Sequence, residues 1–119
     1  KKNYPLRKEQ SDLDIELEDF NNDDNYLRLL EEHLNKLVAT IKPNFIFYQA
    51  GVDVLAEDKL GRLSLTLEGC KARDKIVLAI CKTNHIPLAV TMGGGYSPNI
   101  NTIITAHTNT FRLANDIFC

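Results

Sequence analysis

Two stretches decide how this chain is read. The first is Phe45-Ile46-Phe47-Tyr48 leading into Gly51-Val52-Asp53-Val54-Leu55-Ala56-Glu57-Asp58-Lys59-Leu60-Gly61; the second is Ile86-Pro87-Leu88-Ala89-Val90 leading into Met92-Gly93-Gly94-Gly95-Tyr96. Each opens with a short run that is apolar on both alternating faces, the pattern of a strand buried inside a parallel sheet. An open α/β sheet gathers its chemistry at the carboxyl ends of its strands. One strand end therefore offers a carboxylate, Asp53, and the other offers a phenol, Tyr96, on a glycine turn. That pairing suits metal-assisted hydrolysis.

Working outward, the segment between the two strands reads as a helix over 66–83. Thr66 is a plausible cap. Cys70, Ile76, Val77, Ile80 and Cys81 form its inward face, and its charges point out. Strand, helix and strand make a βαβ unit with a right-handed crossover. Upstream, Tyr26, Leu27, Leu30, Leu34, Leu37, Val38 and Ile41 recur every three or four residues, which predicts a helix over 24–41. Asp23 is placed to cap it, and Lys42-Pro43 ends it. Downstream, Ser97-Pro98 reads as an N-cap followed by proline at the first helical position. The helix it opens carries Ile100, Ile103, Ile104, His107, Phe111, Ala114 and Ile117 on one stripe. Residues 1–23 are polar, with an alternation at Leu13, Ile15 and Leu17 that predicts an edge strand ending at Glu18-Asp19. Residues 50–65 form a long loop, the kind that usually carries function in a compact domain.

The 119 residues amount to one domain or part of one, and 44% hydrophobic with 25% charged residues is ordinary for a globular chain. A net charge of −2 gives no basic footprint for nucleic acid. The acids cluster at the start: Glu9, Asp12, Asp14, Glu16, Glu18, Asp19, Asp23, Asp24, Glu31 and Glu32 precede residue 33, which reads as a solvated loop and helix start. Cys70, Cys81 and Cys119 contain no CxxC pair. Eleven helical residues separate the first two by about 16 Å, too far for a disulfide. Free thiols in a reducing compartment follow, and no apolar run approaches a membrane span or signal peptide. A cytoplasmic protein without membrane or direct nucleic-acid partners is expected. The chain opens on Lys1-Lys2-Asn3, and two parallel strands alone leave open edges. Both features read as a portion of a longer polypeptide.

The chemistry-bearing residues leave alternatives open when taken singly. Asp53 suits zinc ligation through its carboxylate oxygens, or a turn cap, or an ion pair with Lys59 or Arg62. The glycines at 93–95 permit positive φ and close approach of a ligand. Tyr96 then either donates to a developing oxyanion or packs as rim. No GxGxxG, HxxEH, HExxH or DxH segment is present. His33, His85 and His107 lack ligand spacing and read as structural. Cys70 and Cys81 read as inert core thiols.

Taken together, Ala50-Gly51-Val52-Asp53, Asp58-Lys59-Leu60-Gly61, Leu65-Thr66 and Gly93-Gly94-Gly95-Tyr96 resemble the zinc-dependent histone deacetylase superfamily, which includes acetylpolyamine amidohydrolases and acetoin-utilisation proteins. Lys2-Asn3-Tyr4-Pro5-Leu6-Arg7-Lys8-Glu9 and Ser11-Asp12-Leu13-Asp14-Ile15 resemble its bacterial and class IV-like members, so the likeness runs from Tyr4 to Phe118. It implies a three-layer α/β fold with a parallel sheet of the arginase–deacetylase type, with residues 1–119 as the C-terminal part of one catalytic domain. It implies Zn2+ as cofactor, Asp53 as one zinc ligand, and Tyr96 as the group that polarises the amide carbonyl. Tyr4, Leu60, Gly94 and Gly95 match positions lining an acyl-lysine channel. The remaining ligands and the histidine base are implied upstream of Lys1. An acyl-lysine peptide or acetylated small amine is the implied substrate, and the N-terminal part of the same enzyme the implied partner. On this reading the chain alone is inactive. A different reading, from the same residues, is a non-catalytic α/β binding or assembly module.

Overall fold

The computed structural model describes residues 7–119; Tyr4 lies outside them. The element order is α1 (Asp23–Ile41), β1 (Ile46–Gly51), α2 (Leu67–Thr83), β2 (Leu88–Gly93) and α3 (Ile100–Phe118). The two strands pair in parallel, in a register that runs from Ile46 opposite Leu88 to Gly51 opposite Gly93. The α/β reading and the βαβ unit both hold.

Both crossover helix and third helix lie against one face of the sheet. Tyr48 on β1 donates its hydroxyl to Asp74 of α2, and Leu88 and Val90 of β2 share a groove with Leu78, Ala114 and Phe118. Among the described residues the opposite face is open: Phe47 is 81% exposed and stacks, tilted, on Phe45, at 5.0 Å between centroids. The expectation of strands buried on both faces is therefore half met. An apolar run on both faces marks a strand that can be covered twice, and in this chain a helical layer covers it once.

The core lies where the first strand ends. Val52, Leu55, Cys70 and Ala106 cluster, with Val54, Leu67 and Ile103 packed around them. The loop after β1 is thus anchored rather than free. Leu55 and Leu65 are each at most 2% exposed and form a parallel bridge, with Leu65 N–H donating to Val54 O and Ala56 N–H to Leu65 O.

Three local expectations are corrected. No strand forms over Leu13–Leu17; Leu13 and Ile15 are exposed, and Ser11 closes a turn on Asp14, its hydroxyl donating to Oδ1 at 2.7 Å. Alternation needs a neighbouring strand to pair with, and both described strands pair with each other. The cap of α1 is Asn22, not Asp23. Asp23 instead reaches α2, where its carboxylate accepts from Thr66 N (2.9 Å) and Thr66 Oγ1 (2.6 Å). Helix α3 starts two residues later than expected, capped by Asn99. Thr66 does cap α2, accepting from Gly69 N at 2.9 Å.

The inward face of α2 also differs from the expected one. Cys70, Val77 and Cys81 are buried, but so are Arg73 and Asp74, at 3% and 0% exposure, so its charges do not all face out. On α3 the buried positions are Ala106, His107 and Thr110, while Ile100, Ile104 and Phe111 are exposed. The stripe is rotated because Thr110 turns inward to donate to Asp74 Oδ2 at 2.6 Å. No helix among the described residues is long and apolar enough to cross a membrane.

Candidate active site

The parallel register sets Gly51 beside Gly93, so both strands end at one level. One further bond, Val52 N–H to Gly93 O at 2.9 Å, carries the pairing past the strand. Asp53 follows at once and is exposed. The glycine turn folds over it. Gly94 and Gly95 take φ of +64° and +108°, conformations that L side chains rarely adopt. Space forbids a side chain as well: a Cβ on Gly94 would lie 2.6 Å from Asp53 Cγ, and one on Gly95 about 3.0 Å from Val52 and Ile103. The carboxylate and the turn are therefore direct neighbours.

Tyr96 leaves this turn with its side chain 56% exposed. Its backbone N–H donates to Asp58 Oδ2 at 2.7 Å. The other oxygen, Oδ1, accepts from Leu60 N (2.8 Å) and Gly61 N (2.7 Å). Burial alone would raise the Asp58 carboxyl, but these three N–H groups outweigh it and hold the group below its ordinary value. Ser97 Oγ donates to Glu57 Oε2 at 2.9 Å, so Ser97 ties two loops instead of capping α3. Leu60 stands 66% exposed beside this turn.

Behind the site lies a dry network. Arg73 donates from Nη1 to Gly51 O at 2.5 Å and from Nε to Asp74 Oδ1 at 2.9 Å, with Nη2 in the same ion pair at 2.8 Å. Tyr48 and Thr110 donate to the same carboxylate. Burial first, and then the Asp74 charge, push the Tyr48 phenol far above its ordinary value, so it stays a donor. The network fixes the carbonyl two residues before Asp53. Burial pushes the Cys70 thiol up to about 11, which agrees with an inert core cysteine. Arg62 pairs with Asp19, so its guanidinium is engaged away from Asp53.

Sequence reasoning gave no role to Asp58, Glu57, Arg73 or Asp74. Signals for them existed. Asp58 precedes two N–H groups at the spacing of a side-chain-capped turn. Arg73 and Asp74 stand three and four residues after Cys70, on the stripe that continues to Val77 and Cys81. His107 is buried, and His33 Nδ1 lies 2.8 Å from Leu29 O on its own helix. A groove of about 520 Å³ lined by Leu78, Pro87, Leu88 and Phe118 opens near the start of β2, at the end of the sheet away from Asp53.

For a metal, Asp53 is a fitting donor: an exposed hard-oxygen ligand facing a turn that carries no side chain at 94. No group of three or more possible ligand side chains occurs among the described residues. Asp53 therefore fits as one ligand of a site and does not make one alone.

A parallel sheet whose two strand ends hold a carboxylate and a glycine-borne phenol makes an α/β unit of the kind a fragment of the arginase–deacetylase fold would show. Comparison with known proteins gives its family. The family model for the histone deacetylase domain matches residues 3–111, and the chain belongs to that family. An uncharacterised protein of Picosynechococcus sp. is 40% identical over 116 residues, covering 98% of this chain and 39% of that protein. Histone deacetylase 9 of Arabidopsis thaliana is 35% identical over 109 residues, 88% of this chain and 25% of that protein. Histone deacetylase 2 of the same plant is 35% identical over 81 residues, 68% of this chain and 21% of that protein. The chain thus spans well under half the length of these relatives.

Proposed function

We propose that this chain supplies part of the active site of a zinc-dependent deacylase, which hydrolyses an acyl amide on a lysine side chain or a small amine. The observation that carries the reading is the contact between Asp53 and the Gly94 turn, which sets a carboxylate and the base of Tyr96 side by side at the strand ends. Asp53 is the zinc ligand in this part. Bound zinc would act as a Lewis acid and lower the pKa of water. Tyr96 donates its phenolic hydrogen to the oxyanion as the acyl carbon becomes tetrahedral. Gly94 and Gly95 leave room for the acyl group to pass close to backbone, and Leu60 lines its approach. The other zinc ligands and the general base belong to an N-terminal part of the same enzyme, working in the cytoplasm. By itself the chain is inactive, because one carboxylate holds zinc weakly.

The test is substitution in the full-length polypeptide, with zinc content and turnover of an acetyl-lysine peptide as readouts. Asp53→Ala should lose zinc. Tyr96→Phe should keep zinc and lose about 10²–10³-fold in rate, the usual cost of one oxyanion donor. Full activity in Tyr96→Phe would overturn the mechanism.

A further inference from the structure

We infer that Asp58 is a positioning residue for Tyr96: its carboxylate latches the tyrosine-bearing turn to the loop that carries Asp53. The inference rests on the deacylase reading above.

Among the described residues, the Asp58 carboxylate is the side chain that binds the Tyr96 backbone directly. Its side chain is more than half exposed, so packing does not fix it. Two glycines at positive φ precede it, and glycine is the residue with the most conformational freedom to lose. The turn is tied forward instead. Tyr96 N–H donates to Asp58 Oδ2 at 2.7 Å, and Ser97 Oγ donates to Glu57 Oε2 at 2.9 Å. Both acceptors belong to the 52–65 loop, and consecutive acids receive consecutive residues.

The acceptor side is rigid. Asp58 Oδ1 is held by Leu60 N and Gly61 N, which orients the carboxylate plane and leaves Oδ2 for Tyr96. Asp58 N–H donates to Leu55 O at 3.0 Å, and Leu55 is 2% exposed in the core. Gly61 lies so close to the backbone carbonyl of Asp53 that a Cβ there would collide with it. Asp53 and Tyr96 are thus referred to one loop through one carboxylate. An amide is a poor replacement, because its single oxygen cannot serve the turn and Tyr96 from both sides.

The experiment is a double-mutant cycle in the full-length enzyme, with kcat, KM and zinc per chain measured for Asp58→Ala, Tyr96→Phe and the pair. Misplacing a catalytic group by about 1 Å costs up to about 10²-fold, so Asp58→Ala should lower kcat by about 10–100-fold. KM and zinc content should hold. Because the residue acts through the phenol, the same substitution in the Tyr96→Phe background should lower kcat less than about 2-fold, the signature of coupled sites. An equal loss in both backgrounds, or loss of zinc, would overturn the inference. Should Asp58→Ala not fold, Ser97→Ala tests the second tie, with a loss of about 2–5-fold that must likewise vanish beside Tyr96→Phe. If Tyr96→Phe alone retains full activity, the deacylase mechanism fails first. If it is crippled while Asp58→Ala is additive, the latch alone fails.

Discussion

Two carboxylates hold the two sides of this site, and they do so in opposite surroundings. Asp74 is fully buried and gathers Arg73, Tyr48 and Thr110 around itself, fixing the end of β1 from behind. Asp58 is only partly covered and gathers three backbone N–H groups, fixing the tyrosine turn from the front. The first carries charge where water cannot reach, so its partners are obligatory. The second stands at a wet rim, where the same hydrogen bonds set geometry more than stability. The strand end is thus a rigid reference, and the turn is an adjustable part referred to it.

Substitutions can break that contrast. The largest effect is expected from Asp74→Ala, which strands the Arg73 guanidinium in the core. Removing one partner of a buried pair costs about 3–5 kcal/mol, to be read from denaturant unfolding of the full-length polypeptide. A loss as small as that of an exposed pair would erase the distinction. Next comes Thr110→Val, which keeps the shape and removes one donor to a charged acceptor, at about 1.5–3 kcal/mol. The smallest stability change belongs to Asp58→Asn, and its mark is pH dependence. The folded carboxyl titrates below its ordinary 3.8, so its contribution is complete above that value. It is lost as pH falls through the lower folded value. The stability gap between the native chain and Asp58→Asn should therefore shrink in acid and be constant at neutral pH. A gap that widens in acid would reverse the assignment.

The parts of the fold that follow from local spacing were legible in the sequence. Helix α1 lies within one residue of its expected start, Thr66 caps α2, and both strands fall where the apolar runs place them. The placement of Asp53 and the glycine turn was legible too, because each directly follows a strand. What was not legible depends on partners distant in the chain. Ser97 has the chemistry of a cap, but its hydroxyl finds Glu57, forty positions away. Arg73 and Asp74 look like surface charges until Tyr48 and Gly51 of β1 and Thr110 of α3 supply two further elements to bind them. The alternation over Leu13–Leu17 has the period of a strand but, among the described residues, no neighbour to complete it. Phe47 shows the converse: its sequence context speaks of burial, and this chain leaves its face of the sheet open.

One aspartate also bears on the order in which the molecule assembles. Asp23 sits in the first turn of α1, yet its carboxylate closes on Thr66 at the start of α2, across 43 residues. The turn that begins the crossover helix is thus completed only when the first helix has arrived. In a folding experiment, Asp23 and Thr66 should share one kinetic fate, with φ-values that rise or fall together. The docking of α1 and the start of α2 would then form in one step.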